Sequence, residues 1–208
     1  MWRLLFPLVR AVGLAVFSIT LEGRERIPAQ GPYIVVANHV DWKDPPAIEL
    51  TFGVAIRYMA KIESFRVLLI GGLLRGIGCF PVRRGEGDRR AIITCLKVLR
   101  AGNPLGFFPE GTRSRQGSLG RAREGIAFLA RRSGAPILPV AVIGTPEARP
   151  FRSHIRVRVG EPFLLDDLAL AASGSEQEVA DAIMGRVSQL LPPRMRGYYT
   201  DVGSAEGG

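Results

Sequence analysis

Few residues in this chain can bind a transition metal or form a disulfide. Cysteine occurs only at Cys79 and Cys95, and histidine only at His39 and His154. Neither pair has the close spacing of zinc ligands, and two such cysteines do not make the disulfide framework of a small secreted protein. The sequence therefore argues against a zinc site, predicts no metal and no cofactor, and favours a reducing compartment.

Lysine is also scarce. It occurs only at Lys43, Lys61 and Lys97, so the net charge of +9 comes mostly from arginine. Arginine binds phosphate through paired hydrogen bonds, although part of its excess can reflect genome composition. A basic surface suits a nucleic acid, an anionic membrane or a phosphorylated metabolite. Aromatic residues are not interleaved with the basic ones as a base-stacking surface requires, which argues against nucleic acid.

The chain has no uninterrupted apolar run of clear membrane-spanning length. Residues 4–21 are mostly apolar, but Pro7 and Arg10 interrupt them. Arg3 and Arg10 beside apolar residues are typical of a helix that lies in the membrane interface. The segment also lacks the small-x-small cleavage pattern of a signal peptide. We predict a membrane-associating helical segment at 1–20, with a buried helix, a spanning helix or a signal as the alternatives.

Apolar runs and helical periodicity alternate along the rest of the chain. Predicted strands cover 18–22, 33–37, 56–60, 79–83, 105–108, 137–143 and 155–159. Predicted helices begin at 44, with Asp44 as the expected cap, and cover 65–77, 88–100, 124–132 and 175–191. Residues 175–178 read Ser-Glu-Gln-Glu, which predicts a capping box at the start of the last helix. This alternation predicts a single α/β domain at 21–193, with a mixed, largely parallel sheet flanked by helices. Residues 194–208 are predicted to be disordered.

The predicted strand at 33–37 leads into a histidine and two carboxylates. His39 lies at the strand tip, Asp41 two positions later and Asp44 five positions later. A histidine can remove the proton of an attacking alcohol, and a carboxylate can orient the imidazole. This spacing alone is a weak signal, and a surface histidine beside a helix cap is the alternative. No serine nucleophile stands beside it, so we expect the attacking oxygen to belong to the substrate.

A second segment supplies a glutamate and two arginines on a turn that contains glycine. Residues 108–115 read Phe-Pro-Glu-Gly-Thr-Arg-Ser-Arg, which places Glu110 and Arg113 close together. Arginines on such a turn suit an anionic group such as a phosphate. We therefore expect the two segments to form one site, a base that activates a hydroxyl next to a cradle for a phosphate-bearing substrate.

Four short blocks of sequence follow one another in a characteristic order. They are Asn-His-x4-Asp at 38–44, Gly-Cys-Phe-Pro-Val-Arg at 78–83, Phe-Pro-Glu-Gly-Thr-Arg-Ser at 108–114 and Ile-Leu-Pro-Val at 137–140. Between about residues 21 and 160 the chain thus resembles the glycerolipid acyltransferase family, particularly the 1-acylglycerol-3-phosphate acyltransferases. The third block is the most specific. The family commonly has serine where this chain has Asp41, which leaves open whether Asp41 helps to orient His39.

The resemblance implies a function and a set of site residues. The enzyme would transfer an acyl chain from acyl-coenzyme A or acyl carrier protein to the free hydroxyl of 1-acylglycerol-3-phosphate, giving phosphatidic acid. His39 would be the general base and Asp44 its partner. The implied substrate-binding residues are Arg83 and Arg113 for the phosphate, Glu110, Gly111 and Thr112 for the acceptor pocket, and Arg123 as a further anion contact.

The resemblance further implies partners and a location. The partners are lysophosphatidic acid or a related lysolipid, the acyl thioester and the membrane surface. We expect a monotopic or peripheral protein on the cytoplasmic face of the cell membrane. The alternatives are an acyltransferase for another lysolipid, a thioesterase, and a non-catalytic protein that binds anionic lipid. We expect Cys79 to be a buried thiol rather than a nucleophile, and residues 65–77 to belong to the core.

Overall fold

Seven strands form a single sheet in the structure, a computed structural model that describes residues 2–76, 78–82, 89–152 and 154–200. The strands are β1 (Ser18–Glu22), β2 (Ile34–Ala37), β3 (Arg57–Lys61), β4 (Phe80–Val82), β5 (Leu105–Phe107), β6 (Ile137–Ile143) and β7 (His154–Val159). Their order across the sheet is β1-β7-β6-β2-β5-β3-β4. Neighbouring strands are parallel except for β6 and β7, which are antiparallel. The predicted mixed, largely parallel α/β sheet is confirmed.

Helices cover both faces of this sheet. They are α1 (Trp2–Val16), α2 (Asp44–Phe52), α3 (Leu68–Gly76), α4 (Arg89–Arg100), α5 (Gly125–Ser133) and α6 (Glu176–Leu190). Short 3-10 turns at Arg24–Arg26, Ile62–Arg66, Leu165–Asp167, Pro193–Met195 and Gly197–Tyr199 join or follow these elements. The capping box predicted at the start of the last helix is present, since the Ser175 side chain accepts a hydrogen bond from the backbone of Glu178.

The central strand β2 is buried on both faces because consecutive side chains point to opposite sides of a strand. Ile34 and Val36 pack in one buried cluster with residues of α4, α5 and α6. Val35 and Ala37 pack in the other with α2. A strand held between two layers in this way presents its carboxyl end at a fixed position, and that end leads directly into residues 38 and 39.

One predicted helix and one predicted strand need correction, and each extends beyond the described residues. The helix expected at 65–77 begins only at Leu68, after the 3-10 turn Ile62–Arg66, and residue 77 is not described. The strand expected at 79–83 is β4, which ends at Val82, so Arg83 lies outside the described residues.

The predicted disorder from residue 194 does not hold for residues 194–200. This stretch contains most of one 3-10 turn and the whole of the next, and the Tyr199 side chain is fully buried. The Tyr199 hydroxyl donates to Asp181 over 2.8 Å and accepts from the backbone N–H of Ala122 over 2.8 Å. These bonds and the buried ring hold the segment against the domain, while residues 201–208 lie outside the described part.

Helix α1 packs along α2. The Arg10 guanidinium donates to the carbonyl of Leu50 over 2.7 Å, and Gly13 lies so close to the Leu50 side chain that a Cβ there would be 2.7 Å from it. Val12, in contrast, is 53% exposed. Among the described residues, no helix has both the length and the apolar character needed to cross a membrane.

Candidate active site

The candidate site lies where β2, β5 and β6 end. These three strands are parallel neighbours, so the segments that follow them emerge at the same edge of the sheet. Such an edge is where parallel α/β sheets commonly bind ligands. The segment after β2 contains His39 and Asp44, the segment after β5 contains residues 108–115, and the segment after β6 contains Thr145. The sequence prediction that the first two segments form one site agrees with this arrangement.

His39 and Asp44 form a hydrogen-bonded pair. The Nδ1 atom of His39 is 2.9 Å from the Oδ2 atom of Asp44, which is fully buried, whereas the His39 side chain is 12% exposed. Because Asp44 accepts from the Nδ1–H group, a neutral imidazole keeps its lone pair on Nε2. This geometry makes Nε2 the nitrogen that can take a proton from a substrate.

The carboxylate of Asp44 also fixes the loop that carries the histidine. Its Oδ2 atom accepts hydrogen bonds from the backbone N–H groups of Val40 and Asp41, over 2.7 and 2.8 Å. The helix cap expected of Asp44 is therefore absent, and Asp44 is instead the first residue of α2. The side chain of Asp41 binds Lys43 through both the backbone N–H and the ammonium group, at 2.9 and 3.0 Å. Of the two carboxylates, it is Asp44 that contacts the imidazole.

Thr145 is a site residue that the sequence interpretation missed. Its hydroxyl donates to the Oδ1 atom of Asp44 over 2.5 Å, and its side chain is fully buried. Thr145 lies 101 positions from Asp44, and no local pattern marks it. The signal available was its place two residues after the predicted strand 137–143, because β6 is the parallel neighbour of β2.

Glu110 connects two loops of the site. Its Oε1 atom accepts from the backbone N–H of His39 over 2.9 Å, and its Oε2 atom accepts from the backbone N–H of Gly120 over 3.0 Å. Glu110 is buried, and this burial raises the pKa of its carboxyl group, while the two amide bonds act in the opposite direction. Its observed contacts thus hold the backbone of His39 in place.

The segment after β5 contacts His39 at two further points. The ring of Phe108 stacks on the imidazole with centroids 4.2 Å apart and an interplanar angle of 23°. The backbone N–H of Ser114 donates to the His39 carbonyl over 2.7 Å. Ser114 therefore approaches the histidine through its main chain, as a structural contact rather than as a nucleophile.

Two of the predicted anion-binding arginines lie beside this segment. Arg113 and Arg123 are both exposed, and within the described residues neither forms an ion pair. Gly111, with φ of 72°, lies against the side chain of Arg123, and a Cβ at that position would be 2.8 Å from its Nε atom. Gly111 and Thr112 are exposed as well. Gly111, Thr112, Arg113 and Arg123 thus form an exposed cationic rim on the loops that follow β5, while the placement of Arg83 is not described.

The remaining histidine and the cysteines have other roles. His154 is the first residue of β7, and its two ring nitrogens lie 3.1 and 2.9 Å from the hydroxyls of Ser18 and Thr20. Burial raises the pKa of the Cys79 and Cys95 thiols to about 12. A thiol with so high a pKa is a poor nucleophile near neutral pH.

A family model described as Acyltransferase matches residues 18–143. The chain belongs to the acyltransferase family. The resemblance seen in the four sequence blocks is thereby confirmed at the level of the family. The matched range contains His39, Asp44, residues 110–113 and Arg123, whereas Thr145 lies just beyond it.

Two curated relatives and one solved structure show what this acyltransferase resembles. It is 29% identical over 179 residues to a 1-acyl-sn-glycerol-3-phosphate acyltransferase of Bacillus subtilis, covering 83% of this chain and 88% of the relative. It is 31% identical over 178 residues to a lyso-ornithine lipid O-acyltransferase of Pseudomonas aeruginosa, covering 83% and 64%. The crystal structure of the 1-acyl-sn-glycerophosphate acyltransferase from Thermotoga maritima aligns with a TM-score of 0.68 at 23% identity, covering 91% of this chain and 80% of that one. This last likeness shows the acyltransferase fold.

Some relatives are considerably longer than this acyltransferase. Against an algal and two plant relatives, the chain spans 58%, 49% and 51% of their length. The comparisons therefore show the family and the fold of this chain.

Proposed function

We propose that this protein transfers an acyl chain from an acyl thioester to the free hydroxyl of 1-acylglycerol-3-phosphate, which gives phosphatidic acid. The observation that carries the proposal is the His39 imidazole, oriented through Nδ1 by buried Asp44 and left with Nε2 as its proton acceptor. Within the described residues, no serine or cysteine side chain bonds to this imidazole. A base without a protein nucleophile suits direct attack by a substrate hydroxyl.

This geometry supports the following transfer step. Nε2 of His39 takes the proton of the acceptor hydroxyl while its oxygen forms a bond to the thioester carbonyl carbon. Asp44 stabilises the imidazolium that results. When the tetrahedral intermediate collapses, the carbon–sulfur bond breaks and the sulfur takes the proton back from the imidazolium. The products are the ester and the free thiol, and no metal or cofactor enters the step.

The cationic rim gives the acceptor its orientation in this proposal. Arg113 binds the phosphate by charge-assisted hydrogen bonds together with Arg83, as the sequence predicts, and Arg123 is a further anion contact. Binding the phosphate at the rim holds the hydroxyl near Nε2, and such positioning accounts for much of the rate gain in reactions of two substrates. Gly111 and Thr112, exposed on the same segment, border the acceptor in this proposal. The B. subtilis relative, matched over most of its length, supports this acceptor.

Membrane association completes the proposal. The acceptor is a lipid, and α1 has an exposed apolar position at Val12 beside the contact that Arg10 makes with α2. We propose that α1 lies on the membrane surface at the cytoplasmic face, where acyl-coenzyme A and acyl carrier protein are available.

A second acceptor class is favoured by one specific observation. The P. aeruginosa relative is named for a lyso-ornithine lipid, whose headgroup is an amino acid, and its identity to this chain is 31%. The same base would serve this acceptor, but the rim of arginines would meet a carboxylate instead of a phosphate.

A panel of acceptors tests the proposal. Purified full-length protein would be incubated with acyl-coenzyme A or acyl carrier protein and with lysophosphatidic acid, lysophosphatidylcholine or lyso-ornithine lipid, and the products identified by mass spectrometry. We expect phosphatidic acid as the main product. Product from lyso-ornithine lipid alone would support the second acceptor, and thiol release at the same rate without any lysolipid would identify a thioesterase.

A further inference from the structure

Phe151 combines exposure and backbone strain. Its side chain is 79% exposed, more than that of any other aromatic residue with a described side chain. It is also the one non-glycine residue in the described part of the chain with a positive φ, of 60°. Residues other than glycine and asparagine rarely adopt this backbone conformation, and strain of this kind tends to persist at functional positions. Packing does not explain the strain, since the ring is mostly in solvent.

The strain is maintained by the main chain around residue 151. The backbone N–H of Phe151 donates to the carbonyl of Val16, the last residue of α1, over 2.8 Å. The N–H of Arg152 donates to the carbonyl of Arg149 over 3.3 Å, which closes the turn. Phe151 is thereby attached to the end of α1 with its ring directed outward.

The loop that contains Phe151 is attached to the candidate site at its first residue. The 145–152 loop begins at Thr145, whose hydroxyl binds Asp44. Phe151 is therefore carried by the same edge of the sheet as His39. Trp42, which is 65% exposed, lies in the loop between His39 and Asp44, and the ammonium of Lys43 is 5.6 Å from its ring centroid. Two exposed aromatic rings thus accompany the imidazole at this edge.

The charge of this edge indicates the kind of surface that it contacts. Arg149 and Arg152 are exposed on either side of Phe151, and the whole chain carries a net charge of +9. Aromatic rings next to arginines are typical of segments that lie at the headgroup level of a membrane, where the ring is buried and the cations meet anionic lipid. A lipid surface would bury the exposed ring of Phe151 and meet the guanidinium of Arg152 at the same time.

We propose that the 145–152 loop is a second membrane contact, in which Phe151 inserts into the interface of an anionic bilayer and Arg152 meets the headgroups. This inference rests on the proposed function only in that a lipid acceptor has to reach His39 from the membrane. It differs from anchoring by α1, because the loop is directly connected to the carboxylate of the site and sets which edge of the domain faces the lipid.

Vesicle binding tests the proposal without any acyl transfer. Partitioning of the full-length protein would be measured on vesicles of phosphatidylcholine alone and of phosphatidylcholine with phosphatidylglycerol in equal parts. Phe151→Asn is suitable because asparagine tolerates positive φ. The matched control is Leu164→Asn, a residue 46% exposed at the opposite edge, next to the bridge between Phe163 and Ile137. On mixed vesicles we expect Phe151→Asn to lower partitioning about tenfold, and the control to change it less than about twofold.

A direct readout is needed because α1 also binds the membrane in our proposal. Tryptophan fluorescence would be quenched with brominated phosphatidylcholine in Phe151→Trp, on a background of Trp2→Phe and Trp42→Phe, with Leu164→Trp as the control. Strong quenching at 151 and little at 164 is expected. Equal quenching at the two positions would overturn the inference, as would wild-type partitioning of Phe151→Asn. A protein that binds vesicles through Phe151 but transfers no acyl chain would refute the proposed function and leave this inference standing.

Discussion

Replacing Thr145 with valine tests whether its hydrogen bond to Asp44 helps to position His39, which we propose as the general base. The substitution exchanges one hydroxyl for a methyl group at a fully buried position, so shape is kept and one hydrogen bond is lost. That bond joins the hydroxyl to a buried carboxylate, and bonds to charged groups are worth about 1.5–3 kcal/mol. We therefore expect Thr145→Val to lower the free energy of unfolding by about 2 kcal/mol, which for a domain of this size lowers Tm by roughly 4–8 °C.

Thr145→Val should also lower the rate of acyl transfer, but by less than removal of the His39 imidazole does. The Oδ2 atom of Asp44 keeps its bonds to His39 and to the loop, so the carboxylate is loosened rather than released. A fall of about tenfold in kcat/KM, or 1.4 kcal/mol, is expected at a temperature well below the Tm of the variant. Thr145→Ser retains the hydroxyl and should recover most of this activity.

Thr51 provides the matched control. It is also a buried threonine, but its hydroxyl donates to the carbonyls of Ala47 and Ile48 within α2. Thr51→Val should therefore lower stability with little change in kcat/KM. Stability would be measured by thermal unfolding, and activity by release of free thiol. If Thr145→Val kept kcat/KM within about twofold of wild type, or if serine failed to restore it, the positioning role would be refuted.

Three further predictions concern the base, the rim and a buried acid. His39→Ala should reduce the rate of acyl transfer by about 10² to 10⁴ without loss of fold by circular dichroism, and retention of half the turnover would remove His39 from the mechanism. Arg113→Ala should lower kcat/KM for the lysolipid by about 10- to 150-fold, and Arg113→Lys should recover part of this loss. Kinetics would be measured with each substrate varied in turn, and a change in kcat/KM for the thioester alone would assign the arginine to the donor. Burial raises the pKa of Glu49 from 4.5 to about 8, so the fold holds a proton that the unfolded chain releases, and stability is lost as pH rises through this window. The free energy of unfolding, measured by denaturant titration, should be the same for Glu49→Gln and wild type at about pH 4 and higher for Glu49→Gln by about 2–4 kcal/mol at about pH 9. Parallel pH profiles of stability for the two proteins would contradict this prediction.

Patterns that depend on local sequence were sufficient for most of the fold. The apolar runs that became β2 and β6 are buried on both faces, and a strand of this kind is recognisable without knowledge of its neighbours. The capping box at Ser175 was readable for the same reason, because its two hydrogen bonds join residues three positions apart. His39 was identifiable as a strand-tip residue, and the order of the four blocks pointed to the family.

Tertiary structure decided which side chains serve the histidine. Asp41 is nearer to His39 in sequence, yet the loop turns so that its carboxylate binds Lys43, while Asp44 binds the imidazole. The contribution of Thr145 depends on β6 lying beside β2, a choice of strand neighbours that no local pattern specifies.

The same reason applies to Glu110 and Tyr199. Glu110 is predicted from the sequence to shape the acceptor pocket, and the tertiary structure adds that its oxygens accept hydrogen bonds from the backbone N–H groups of His39 and Gly120. Tyr199 belongs to a stretch expected to be disordered, yet Asp181 and Ala122 give its hydroxyl two partners in the core. Hydrogen bonds between segments far apart in sequence form only when the sheet order and the strand register bring donor and acceptor within about 3 Å. The sequence by itself determined the elements and pointed to His39, and the tertiary structure determined the contacts that hold this histidine in place.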